Sequence, residues 1–295
     1  MMSPQKPLPS SCSVKPIVWT IAASDSSGGA GIQADLKTFS DLGAHGCSAI
    51  TAITAQNSQG VQHIDAVNAE TLVNQLHALE DDLPAAAIKL GVLPSVKAID
   101  ILADFFTTAK KCVVIFDPVL APTKGQRFVD DATLAAIKTL LPSIDLLTPN
   151  IPEAEQLTGI HNVESQRLAA QALVDMGVSS VLLKGGHVKD GHAETSYCQD
   201  LFYSKEHSFW LTQKKLHTDH SHGTGCVLSS AIAAFLSHGK PMYDAVVLAN
   251  AYISKGLHYS SALDAAGEKR GAVAQTGWPN ELRYFPQVSY SPKTI

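Results

Sequence analysis

The sequence has 295 residues, of which 45% are hydrophobic and 17% charged, with a formal net charge of -5 and a pI near 6.2. That balance supplies a substantial core and excludes a largely disordered chain. It also excludes a general nucleic-acid binder, which would carry a basic excess, while the length fits one large α/β unit.

The opening residues, 1–15, are rich in Pro and Ser and lack the apolar run of a signal peptide. No stretch of about 18 apolar residues predicts a spanning helix. Five widely spaced cysteines without a C-x-x-C pair predict a reduced, cytoplasmic chain. Residues 17–23 (IVWTIAA) are an apolar run that ends in a Gly-rich turn, which predicts a buried parallel strand. A helix is predicted over 30–42, with Ile32, Leu36 and Phe39 on one face. Then follow a Thr- and Ile-rich strand (47–55), a helix (70–79), a strand (87–93) and a helix (96–106). The next strand (112–116) closes on Asp117-Pro118, and after a helix (133–141) another (144–147) closes on Thr148-Pro149-Asn150. A helix (166–176) leads to a strand (180–183) closed by Lys184-Gly185-Gly186. This alternation predicts βαβ units around a central parallel sheet with right-handed crossovers. Beyond residue 196 the pattern changes to a hairpin (197–203 and 208–212), a helix of small residues (225–237) and a final amphipathic helix (243–258). The expected organisation is a flexible segment 1–15, one α/β domain 16–262 and a C-terminal extension 263–295.

Ligands of open α/β sheets bind beyond the carboxyl ends of the strands. There the sequence places His222-Gly223-Thr224-Gly225-Cys226 before the small-residue helix. Two glycines let several backbone N–H groups converge at the positive end of a helix, which suits a transferring phosphoryl group. A thiol on the first turn is expected to fall below the ordinary value near 8.5 and serve as a base; the plainer alternative is an ordinary turn and a small buried cysteine. Asp117 suits Mg²⁺ or assistance to deprotonation, or else a turn cap. Asn150 and Glu153 offer neighbouring oxygen ligands, or else an N-cap. Lys184 suits a nucleotide phosphate, or else solvent. There is no G-x-x-x-x-G-K-[ST], and Gly28-Gly29-Ala30-Gly31 does not fit G-x-G-x-x-G, so neither a P-loop nor a dinucleotide fingerprint is present. His217, His220 and His222 raise a zinc site, but no second Cys or carboxylate completes it, and a polar loop is the better reading.

Together these residues carry a family resemblance. The run from Ser24 to Thr38 (SDSSGGAGIQADLKT) resembles the N-terminal motif of hydroxymethylpyrimidine/phosphomethylpyrimidine kinases. So do TAITAQNSQG (51–60), KLGVL (89–93), Asp117-Pro118-Val119, TPNIPE (148–153), KGGH (184–187) and HGTGC (222–226), in order from about residue 17 to 258. The resemblance implies a ribokinase-like three-layer sandwich whose central, mostly parallel sheet is flanked by helices. It implies ATP and Mg²⁺, a small-molecule pyrimidine as substrate, no nucleic-acid or membrane partner, and a homodimer. By resemblance, Asp35, Thr54, Gln56, Val92 and Val119 line the pyrimidine pocket. Lys184, Asn150, Gly223 and Gly225 bind the nucleotide, and Asp117 and Glu153 hold the metal. Cys226 is the base, assisted by Asp117 and the Gly223-Thr224-Gly225 nest. Some members carry Glu at the position of Gln56 and Met at that of Val92. The loop after Val119 (LAPTKG) also departs from the family's usual V-M-V-A-K-S-G. A pyridoxine or pyridoxal kinase is the close rival reading; a catalytically silent pyrimidine sensor is the rival of another class.

Overall fold

The structure is a computed structural model that describes residues 14–108, 112–121, 128–160, 166–185, 197–216, 218, 220, 222–262 and 271–290. Its strands are β1 (Ile17–Asp25), β2 (His45–Asn57), β3 (Gly60–Ala66), β4 (Ala87–Leu90), β5 (Val113–Phe116), β6 (Leu146–Leu147), β7 (Ser180–Lys184), β8 (Tyr197–Ser204), β9 (Ser208–Lys214) and β10 (Gln287–Tyr290). They form one sheet in the order β10-β9-β8-β7-β6-β5-β4-β1-β2-β3. The centre, from β2 through β1 and β4 to β7, is parallel. The two margins, β3 on one side and β8 to β10 on the other, are antiparallel. This is the ribokinase-like architecture.

The helices are α1 (Gly31–Asp41), α2 (Ala69–Asp82), α3 (Val96–Thr108), α4 (Asp131–Leu140), α5 (Ile151–Thr158), α6 (Gln166–Asp175), α7 (Thr224–Ser237) and α8 (Met242–His258). Strand residues alternate between two helical layers, as the two-residue pleat requires. Trp19, Ile21 and Phe116 turn to Leu76 of α2, Leu102 of α3, Ile137 of α4, Leu157 of α5 and Leu173 of α6. Val18, Ile115, Leu146 and Leu182 turn to Phe39 of α1, Ala231 to Phe235 of α7 and Val246 and Tyr252 of α8. Helix α7 is buried along most of its length because Ser229, Ser230, Ala231, Ala233 and Ala234 let it approach the sheet closely. Among the described residues no helix is long and apolar enough to cross a membrane.

Among the described strands and α-helices, three lie outside those the sequence predicts. Strand β3 is largely exposed, so it has no apolar alternation to read. Helix α5 has 8 residues and is announced by its cap and by Pro152 rather than by periodicity. Strand β10 is a short edge strand whose register is set by β9. Close packing of α7 makes a clear prediction: Ala231→Leu overpacks a fully buried position and should cost about 1–3 kcal/mol. Urea unfolding should show a lower midpoint at unchanged slope.

Candidate active site

Strand order reverses between β1 and β4, the point at which open α/β sheets form a crevice. A cavity of about 440 Å³ opens there, bounded by the ends of the parallel strands and the starts of α1, α5 and α7. Of the sequence-predicted residues, Thr54, Gln56, Val92, Asp117, Val119, Asn150, Glu153, Lys184, Gly223, Thr224, Gly225 and Cys226 all line this cavity.

One half is ionic. Asp117 is buried at the end of β5, and its Oδ1 accepts from Lys184 Nζ at 2.9 Å and from Thr148 Oγ1 at 3.3 Å. Burial opposes the charge of Lys184, but Asp117 and Glu153 outweigh it and raise the ammonium pKa. Lys184 is therefore a fixed cation rather than a solvated one. Asn150 and Glu153 form a reciprocal cap on α5. Asn150 Oδ1 accepts from the Glu153 N–H and Glu153 Oε2 from the Asn150 N–H, each at 2.8 Å. The capping alternative thus holds, and the same carboxylate also faces the cavity. Burial and the charge of Asp117 push Glu153 up to about 7, against the pull of Lys184 and of the Asn150 bonds.

The cradle is backbone. Gly223 caps α7 with φ +79°, and a Cβ there would collide with the Gly29 carbonyl oxygen. A Cβ on Gly225 would lie 3.3 Å from both Asp117 Oδ2 and Lys184 Nζ, so its absence keeps the space beside that ion pair clear. Asp25 secures the facing turn, accepting from the N–H groups of Ser27 at 2.8 Å, Gly29 at 3.2 Å and Ala30 at 2.8 Å, with His222 Nε2 at 3.4 Å. Burial raises its pKa, but the His222, Ser27 and Ala30 bonds win and hold it at about 2.

The other half is less polar. Val92 and Val119 offer apolar faces beside Thr54 and Gln56. Thr54 Oγ1 donates to the Ser24 carbonyl at 2.9 Å. Gln56 is tied through its backbone N–H, which donates to Ser26 Oγ at 2.9 Å, so its amide is carried by a fixed stem.

Two expectations are corrected. Asp35 does not line the cavity: it is fully buried one layer behind, where its carboxylate accepts from Thr20 Oγ1 at 2.6 Å, Lys89 Nζ at 2.8 Å and Ser230 Oγ at 2.7 Å. A carboxylate with an internal ammonium partner has no reason to face solvent. Nor is the Cys226 thiol lowered. Part of its side chain reaches the cavity, but close packing around the sulfur pushes it up to about 11, and Asp35 and Asp117 add to the rise. Burial here exceeds the pull of Lys89 and of the Gly31 N–H. Sequence reasoning also passed over Lys89, although a charge inside the buried run AIKLGVL was its signal, and over Asp25. His220 Nδ1 accepts from the Gly271 N–H at 3.1 Å, and His222 is engaged by Asp25. His217 lies outside the described residues, among which no three metal-binding side chains cluster.

A family model described as phosphomethylpyrimidine kinase matches residues 25–272. A hydroxymethylpyrimidine/phosphomethylpyrimidine kinase of Rhizobium meliloti is 42% identical over 261 residues, 87% of this chain and 96% of that protein. A thiamine biosynthesis bifunctional protein of Geobacter sulfurreducens is 39% identical over 249 residues, 83% of this chain and 50% of that protein. Among solved structures, a pyridoxal kinase of Staphylococcus aureus in complex with AMP-PCP and pyridoxal superimposes with a TM-score of 0.81. It is 28% identical, and the match covers 94% of this chain and 100% of that one.

The position of Cys226 sets its reactivity in the free protein. Iodoacetamide should label it slowly at neutral pH, with a rate that climbs about tenfold per pH unit toward a midpoint near 11. Peptide mass spectrometry follows the site; a midpoint near 8 would contradict the burial argument.

Proposed function

The chain belongs to the phosphomethylpyrimidine kinase family, and from that premise we propose how its residues divide the reaction. The protein is an ATP-using kinase of 4-amino-5-hydroxymethyl-2-methylpyrimidine and its monophosphate in thiamine biosynthesis. The observation that carries the assignment of roles is convergence. The Asp117–Lys184 pair, the start of α7 and the Gln56–Val92–Val119 wall all open on one cavity.

In this reading the pyrimidine ring lies against Val92 and Val119. The Gln56 amide, both donor and acceptor, faces the amino and ring-nitrogen edge. The ATP phosphates meet Lys184 and the backbone N–H groups from Gly223 to Gly225, with Asn150 beside them. The substrate oxygen forms its bond to the γ-phosphorus as the bond to the ADP oxygen breaks, and its proton goes to Cys226 Sγ. Phosphoryl transfer needs positioning and charge stabilisation more than a strong base. A thiol near 11 is ionised in about one molecule per thousand at pH 8, a cost of about 4 kcal/mol. That cost is small beside a typical barrier and is consistent with late proton loss.

Asp117 and Glu153 present oxygen donors to the same space, and Gly225 leaves the side of Asp117 Oδ2 clear, so the donor set fits Mg²⁺. When bound, Mg²⁺ would neutralise phosphate charge. The homodimer and the cytoplasmic setting implied by the family belong to the same proposal; sedimentation at micromolar protein tests the former.

The likeness to the Staphylococcus aureus pyridoxal kinase favours a second activity toward pyridoxal. Both substrates present a hydroxymethyl group on a flat six-membered heteroaromatic ring. ADP release with Mg-ATP should be measured against the pyrimidine, pyridoxal and ribose, with products weighed by mass spectrometry. Successive mono- and diphosphate of the pyrimidine are expected; turnover of pyridoxal alone would overturn the pocket assignment. Pyrimidine binding without ADP would instead indicate a sensor. Cys226→Ala should lower kcat by about two to four decades and leave ATP binding near wild type. Undiminished kcat in that variant removes Cys226 from the chemistry.

A further inference from the structure

The catalytic cavity has a floor that the assignments above do not use. Lys89 is fully buried on β4 yet borders the cavity, next to Gly91, where a Cβ would lie 3.2 Å from its Nζ. Among the described residues its hydrogen-bond acceptor is Asp35 Oδ2 at 2.8 Å. The Lys89 side chain is fully buried and still borders the cavity, so its charge is set close to the reacting groups. The other carboxylate oxygen, Asp35 Oδ1, accepts from Ser230 Oγ at 2.7 Å. Ser230 stands four residues after Cys226 on α7, one turn further along the same face. The ion pair is thereby pinned to the helix face that presents the cysteine.

We propose that Lys89, held by Asp35 at the wall of the cavity that Cys226 also lines, is a positioning residue for phosphoryl transfer, and that its ammonium favours the thiolate form of Cys226, which is neutralised as it takes the substrate proton. The inference rests on the role given to Cys226 above. In the step itself the substrate O–H bond breaks and an S–H bond forms. The oxygen keeps its electron pair and bonds to the γ-phosphorus, and ADP leaves with the pair of the broken P–O bond. Lys89 neither gains nor loses a proton. The charged and polar groups that act on Cys226 are Lys89 from β4, Asp35 and the Gly31 N–H from α1, Asp117 from the end of β5 and Lys184 from β7. Lys89 and Lys184 are the cations in that set. Asp35 has two opposed effects: it fixes the ammonium in place, and its own charge works against a thiolate. Lys184 is hydrogen-bonded to Asp117 at 2.9 Å, whereas Lys89 is held by Asp35, which is tied to Ser230 one turn from Cys226, so Lys89 is the lysine coupled to the Cys226 face of α7.

These opposed effects give a signed test on the full chain, with EDTA present and without nucleotide. The pH midpoint of Cys226 alkylation is read by peptide mass spectrometry. Lys89→Met should move it up by about one pH unit, and Asp35→Asn should move it down by a similar amount. A purely structural role would loosen the site alike in both variants and shift both midpoints in one direction. Shifts of the same sign, or none in folded protein, overturn the proposal. Lys89→Met should also lower kcat about 10- to 100-fold at unchanged KM for ATP. Should either single variant fail to fold, the double variant Asp35→Asn/Lys89→Met leaves no buried charge unpaired and carries the test instead. It should bind ATP with kcat still reduced at least about tenfold, and wild-type kcat in it overturns the proposal. The alkylation midpoints report on Lys89 whether or not Cys226→Ala impairs turnover, so failure of this inference and failure of the base assignment are separable.

Discussion

A buried ammonium must find a counter-charge or give up its proton, and in this protein that requirement ties the middle of the molecule together. Lys89 extends from β4, Asp35 from α1, Thr20 from β1 and Ser230 from α7, and all four meet at one carboxylate. Two neighbouring strands and two helices of one layer are thus joined at a polar point within an otherwise apolar interface. Removing one partner would leave an uncompensated charge, which typically costs about 3–5 kcal/mol. The pair therefore constrains how α1 and α7 lie on the sheet, and those two helices carry the turns that close the cavity.

A second ion pair, Lys184 with Asp117, stands on the same cavity. The two pairs differ in depth. The side chains of Lys89 and Asp35 have no exposure, whereas Lys184 retains 19%. The deeper pair is fixed and non-exchangeable, suited to setting a local potential. The shallower one is partly open to the cavity through Lys184. Gly225, with no side chain, leaves the space beside the Asp117–Lys184 pair clear, and Gly223 lets the turn pack against the Gly29 carbonyl. The architecture sets one fully enclosed charge pair and one partly open pair against the same cavity.

Much of this was legible in the sequence, for identifiable reasons. The parallel strands are short apolar runs closed by polar turns, so the strand ends, and with them Asp117, Asn150, Lys184 and the Gly-Thr-Gly-Cys turn, could be placed from pattern alone. Three things were not legible. Strand β3 is exposed and takes its conformation from pairing with β2. The position of Asp35 depends on Lys89, which is 54 residues away in the chain, and pattern reading carries no such distance. The direction of the Cys226 shift depended on a competition: a helix start lowers a thiol pKa and packing raises it. Only the packed structure shows that the second is larger.

The contact between the turn after β1 and the turn before α7 has a consequence for how the chain acquires activity. His222 meets Asp25 across 197 residues, and Gly223 has no room for a side chain because the Gly29 carbonyl lies against it. Local structure at either end cannot form this joint; most of the intervening sheet must first be in register, because the loop-closure entropy of distant contacts precedes their reward. The joint between the two turns is complete only when both turns and the sheet between them are in place. An intermediate with most of its secondary structure would still lack it, and recovery of turnover after dilution from denaturant would trail recovery of helix and sheet signals.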